Sequence, residues 1–189
     1  MISSYYEENC SLKLGNLKMK KIVIAVFLFF LLASPALAAL KLNDSAPTFS
    51  LPDSEGNNFY LSDTLGVKKK RETVKGIIIS FFATWCIPCR SELPLINALT
   101  ENLNRSGIKV VLVNVKEDFK TVNALLTELK VDKPIVLSDR NGTISEKYQV
   151  RFLPTTFFID ADGKIRDVIY GGIHGEKELR ESVQKLLKE

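Results

Sequence analysis

The chain has 189 residues, 46% of them apolar and 25% charged, with a net charge of +4. That length suits one domain plus a short extension, and the apolar share is enough for a packed core, which excludes a disordered chain. The charge is too small for a nucleic-acid-binding stripe, so no nucleic acid is expected; the run Lys68-Lys69-Lys70-Arg71 reads as a solvated loop, with a partner or lipid contact as the alternative.

The first forty residues carry the three parts of an export signal. Lys18, Lys20 and Lys21 form a positive segment, residues 22–33 are an uninterrupted apolar run, and Ala36-Leu37-Ala38 is an A-x-A cleavage site preceded by Pro35. Cleavage is expected after Ala38. The alternative is a retained anchor, because 22–40 is about long enough to span a bilayer. Either outcome places the folded part in the periplasm or on the outer face of the cytoplasmic membrane. Eighteen residues precede Met19, more than such a signal needs, so Met19 is expected to be the true start and 1–18 a spurious extension. Residues 39–45 are expected to be a linker and 46–189 the single folded domain.

Within that domain, 46–66 reads as a hairpin, with Thr48-Phe49-Ser50-Leu51 and Phe59-Tyr60-Leu61 flanking a Gly-Asn turn. A polar, basic loop runs to Lys75. From Gly76 the run IIISFFA is apolar without alternation, as in a central strand buried on both faces. Residues 86–103 read as a helix on the spacing of Leu93, Ile96, Leu99 and Leu103, with Pro88 in its first turn and a kink expected at Pro94. Strand 109–115, an amphipathic helix over 118–130, strand 134–139 and a helical turn at 143–149 follow. Strands 155–160 and 164–170 form a hairpin around Asp160-Ala161-Asp162-Gly163, and 176–188 is a last amphipathic helix. Strands that first alternate with helices and then pair as a hairpin indicate an α/β fold, with a mixed central sheet covered on both faces.

The stretch FFATWCIPCRSELP, 81–94, carries the chemistry. Of the three cysteines, Cys10 lies upstream of the expected cleavage site, so the mature chain keeps only Cys86 and Cys89. A four-ligand zinc site needs two more ligands, and His174, the only histidine, reads as a surface loop residue. Haem attachment needs C-x-x-C-H, and residue 90 is Arg. A structural staple closing so short a loop would stabilise weakly. A redox-active pair is the better reading.

Three separated blocks, Ala46 to Asp53, Phe81 to Pro94 and Tyr148 to Asp160, occur in an order that resembles the extracytoplasmic thioredoxin-like thiol–disulfide oxidoreductases of the TlpA/ResA/DsbE type, related to AhpC/TSA proteins. The resemblance implies a thioredoxin-like fold with an N-terminal β-hairpin extension and an inserted helix–strand unit. It also implies an exported oxidoreductase without a cofactor beyond the Cys86/Cys89 pair. Electrons would come from a membrane thiol donor such as a DsbD/CcdA-type transporter. Exported protein disulfides, apocytochrome c among them, would be the clients of what is expected to be a monomer. The chain departs from the family in three places. Phe152 stands where Gly is usual, the loop 66–76 is longer, and Ser80 occupies the position of a buried Asp or Asn.

Disulfide exchange needs a thiolate, and unpaired N–H groups at a helix N-terminus favour one. Cys86 at the strand–helix junction is therefore assigned as the exposed nucleophile, and Cys89, one turn on and more buried, as the resolving thiol. Ile87 and Pro88 add no donor to that thiolate. The pair should accordingly be reducing or mid-range, at about −200 to −280 mV, not a strong oxidant. The resolving thiol must send its proton somewhere. Ser80 cannot take it, whereas Glu92, on the next turn, can if burial raises its pKa; the resemblance implies that the acid at this position takes part in the redox site. A solvated helix glutamate is the alternative. The resemblance makes Pro154 a cis-proline facing the pair, with the Leu153 backbone available to a substrate strand. Trp85 is expected to flank Cys86 as an apolar shelf or else to be a core residue, and Phe152 to add an apolar wall. With Ile87, Pro88 and Leu153 they make the expected substrate surface. A peroxidase reading requires P-x-x-x-[ST]-x-x-C, and Ile79 and Ala83 break it. A copper carrier would need wider cysteine spacing and a suitably placed His. A disulfide-forming oxidant stays as the other redox direction.

Overall fold

The computed structural model describes residues 40–65 and 74–188. The segment expected to be a leader, with Cys10, Met19 and the expected cleavage site, and the Lys68–Arg71 run lie outside the described residues. The elements are β1 (Ser50–Pro52), β2 (Asn58–Tyr60), α1 (Leu61–Thr64), β3 (Gly76–Phe82), α2 (Ile87–Arg105), β4 (Ile108–Val115), α3 (Phe119–Glu128), β5 (Ile135–Asp139), α4 (Thr143–Lys147), β6 (Thr155–Asp160), β7 (Ile165–Tyr170) and α5 (Glu176–Leu187).

Five strands form one mixed sheet in the order β5-β4-β3-β6-β7. β3, β4 and β5 are parallel, while β6 runs antiparallel to β3 and β7 antiparallel to β6. β3 is the central strand and every residue of it is buried, which is why its sequence is apolar without alternation. Its alternate side chains divide the core in two. Ile78 and Phe82 join Leu93 and Ile96 of α2, Leu125 of α3 and Leu179 of α5 on one face. Ile77, Ile79 and Phe81 meet Tyr148 at the end of α4, Leu61 of α1 and the hairpin residues Phe49 and Leu51 on the other. On that second face the Tyr148 ring lies 5.0 Å from Phe157 and 5.3 Å from Phe81, and its hydroxyl donates to the Pro47 carbonyl at 2.9 Å. Burial alone drives this phenol well above its ordinary pKa, so it stays neutral.

The small hairpin β1–β2 forms where the sequence indicates, although Leu61, expected in its second strand, instead begins the one-turn helix α1. Residues 43–46 run along the start of β7, through Asn43 N–H to the Ile165 carbonyl (2.7 Å) and Ala46 N–H to the Gly163 carbonyl (2.8 Å). β3 begins at a residue that must be glycine. A Cβ on Gly76 would lie 2.5 Å from Leu186 Cδ2 and 2.6 Å from the Ile159 carbonyl oxygen. Removing that methyl lets α5 and β6 close on the strand.

Candidate active site

β3 ends at Phe82, and a short turn, Ala83 to Trp85, leads into α2. Cys86 is the N-cap residue of α2, and its Sγ accepts the Cys89 N–H at 3.2 Å. Pro88 lies in the first turn, where a missing N–H costs nothing. Pro94 is accommodated inside a helix that runs on to Arg105. Cys86 and Cys89 are joined as a disulfide with Cα atoms 5.3 Å apart. Cys86 is 4% exposed and Cys89 is fully buried. In this oxidised form Cys86 is less open than expected, because its sulfur is turned in toward Cys89. Its neighbours hold the solvent-facing positions instead, with Trp85 71% and Ile87 76% exposed.

The turn before Cys86 is fixed from outside. Thr84 donates its N–H to Glu117 Oε2 at 2.7 Å and its hydroxyl to Oε1 at 2.5 Å. Asn114 Nδ2 adds a third donor, to Oε2 at 2.7 Å. Lys116, in the left-handed region at φ 63°, turns the chain out of β4 just before Glu117.

Glu92 is on the inner face of α2 and only 1% exposed, which sets aside the solvated-glutamate alternative. Its Oε1 accepts the Ser80 hydroxyl and its Oε2 the Ile173 N–H, both at 2.9 Å. Burial pushes its carboxyl above the usual range; the two hydrogen bonds oppose that rise, Glu178 adds to it and His174 lowers it. The Leu153–Pro154 bond is cis. Pro154 and the Glu92 carboxylate both border the space beside Gly172. A Cβ placed on Gly172 would meet Pro154 Cγ at 3.5 Å, Glu92 Oε2 at 3.7 Å and Pro88 Cβ at 3.8 Å. Leu153 is half-buried, and Phe152 is 69% exposed. His174 is exposed, and its backbone N–H donates to Glu178 at 2.8 Å.

The structure thus brings Cys86, Cys89, Glu92, Pro88 and Pro154 to one end of the sheet. Sequence reasoning missed the Ile173 amide, Gly172 and the Glu117 clamp. A backbone amide carries no residue-type signal, and Glu117 is 33 residues from the threonine it holds.

A buried CxxC disulfide at a helix N-terminus, on a five-stranded mixed sheet whose strand β6 follows a cis-proline, defines a thioredoxin-fold thiol–disulfide oxidoreductase. The AhpC/TSA family profile matches residues 42–168, and the chain belongs to that family. It is 34% identical to the thiol-disulfide oxidoreductase ResA of Geobacillus thermodenitrificans over 77% of this chain and 80% of that one. To ResA of Geobacillus kaustophilus it is 35% identical over 70% and 71%. A crystal structure of a Chlorobium tepidum protein assigned as the thiol:disulfide interchange protein DsbE superposes with a TM-score of 0.68. That pair shares 29% identity over 79% of this chain and all of the other.

Proposed function

We propose that the protein is an exported reductase of disulfides in other exported proteins, with apocytochrome c as one client. The Cys86 thiolate attacks a client disulfide, and one client sulfur leaves as a thiolate. Cys89 then passes its proton to Glu92 and attacks Cys86 Sγ, and the second client sulfur leaves. Two electrons have moved to the client, and the Cys86–Cys89 disulfide is the product. A membrane thiol donor of the DsbD/CcdA type would restore the dithiol. The leader-like segment supports export; among the described residues no helix is long and apolar enough to cross a membrane.

The observation that carries this reading is the buried Glu92 on the helix turn after Cys89, able to take a proton where bulk water cannot reach. Its direction rests on Cys86 Sγ, which accepts the Cys89 N–H but receives no charged donor among the described residues. A strongly oxidising pair stabilises its thiolate further. The test is the equilibrium potential of Cys86/Cys89 in a glutathione or dithiothreitol buffer. A value below about −200 mV is expected. A value near about −120 mV would mean that the protein inserts disulfides.

A further inference from the structure

Ser80 and Thr156 stand directly opposite each other on β3 and β6. Both are buried, at 0% and 1% exposure. Their side chains share the sheet face that carries Ile78, Phe82 and Phe158, beneath α2. Ser80 donates to Glu92, whereas Thr156 Oγ1 is buried with no hydrogen-bond partner. A buried hydroxyl without a partner is uncommon and calls for an explanation. Ser80 and Thr156 are not bonded to each other in this structure, but opposed residues on antiparallel strands have Cβ atoms about 4.5–5.5 Å apart, so rotation about χ1 can bring a Ser and a Thr hydroxyl within bonding reach.

The ionised carboxylate of Glu92 needs two donors and has them in Ser80 and Ile173. Once Glu92 takes a proton, its new O–H needs an acceptor. The Ile173 amide can only donate, but a hydroxyl can reverse. Ser80 Oγ then accepts from Glu92, and its own hydrogen must turn to another acceptor. We propose that Thr156 Oγ1 is that acceptor, so that Ser80 and Thr156 form a reversible hydroxyl pair which lets Glu92 hold a proton while buried. The two are positioning residues, acting through Glu92. The pair rests on the reading of Glu92 as proton acceptor for Cys89. Besides the redox pair on its own helix, Glu92 faces Glu178 of α5 and His174 of the preceding loop as charged or titratable groups; β3 offers it one hydroxyl, that of Ser80.

The test uses the oxidised protein, in which the cysteines do not titrate, with the Glu92 carboxyl followed by carbon-13 NMR. Thr156→Val removes the acceptor needed only by the protonated form, so the Glu92 midpoint moves to lower pH. The proton-binding constant should fall about threefold to tenfold, the worth of one buried hydrogen bond. Ser80→Ala removes the stronger, charge-assisted bond to the carboxylate, so the midpoint moves the other way. Opposite shifts are a signature that simple loosening of the core would not give. An unmoved or raised midpoint in Thr156→Val overturns the pair. The reading beneath it is tested separately with Glu92→Gln. If that variant keeps the wild-type pH profile of mixed-disulfide resolution, Glu92 is not the proton acceptor, whatever the hydroxyls do to its titration.

Discussion

Phe152 is the place where this chain's own surface should decide which disulfides it exchanges with. Phe152 lies two residues before Pro154, is 69% exposed and outside the buried core, and its backbone carbonyl accepts the Thr155 hydroxyl at 2.7 Å. Phe152→Ala therefore leaves the core intact, and stability should stay within about 0.5 kcal/mol of wild type. Covering a whole Phe side chain is worth about 1.5–3 kcal/mol. A client that covered the exposed two-thirds would gain roughly 1–2 kcal/mol, or about fivefold to thirtyfold in affinity. The assay compares kcat/KM for a disulfide-bonded protein client with apolar flanking residues against that for hydroxyethyl disulfide, which is too small to reach Phe152. The substitution should cut the first by about that factor, mainly through KM, and leave the second alone. Equal losses on both substrates would refute a docking role, as would no loss on the protein client.

Two further substitutions probe the carboxylate. Because burial raises the Glu92 pKa above that of the unfolded chain, the folded state binds the proton more tightly. Its contribution to stability is then full below the unfolded value and is lost as pH rises through the folded one. Glu92→Gln can still accept from Ile173 and donate to Ser80, so its stability advantage over wild type should grow from pH 4 to pH 9 in urea unfolding of the oxidised protein; a pH-independent difference contradicts the raised pKa. Gly172→Ala forces a side chain into φ 113° and sets a methyl 3.5 Å from Pro154 Cγ. It should destabilise by about 1 kcal/mol or more, and wild-type stability in thermal melts would show that this loop yields freely.

Much of the frame was legible because its signals are local. The unbroken run after Gly76, the helical spacing from Leu93 to Leu103 and the turn at 160–163 each report burial or backbone need within a few residues. The helix α1 was not legible. It is four residues long and starts directly on the end of β2 without a side-chain cap, so its only sequence trace is Leu61, whose burial fits a strand equally well. In the site, CxxC and Pro154 announce themselves by type. Glu92 was legible as an acid on the right turn, but its partners were not. Which two donors hold it depends on the return of β7 past α2, 81 residues downstream.

That return ties the two halves of the site together. Gly171 N–H donates to the Pro154 carbonyl at 2.9 Å. Gly172 leaves the space between Pro154, Pro88 and Glu92 open, and Ile173 N–H holds the carboxylate. Residues 171–173 thus tie the cis-proline to the acid of α2. The central strand supplies only a hydroxyl, Ser80, where an acid could have been set rigidly into the sheet. With the acid placed on α2 instead, its second oxygen depends on a loop that also bonds the cis-proline. Hydrogen bonds weaken steeply with distance and angle. A displacement of this loop by several tenths of an ångström cannot leave both bonds at 2.9 Å unless the proline and the helix move with it. Glu92 and the cis-proline are therefore one mechanical unit, held by backbone amides that no side-chain motif could have announced.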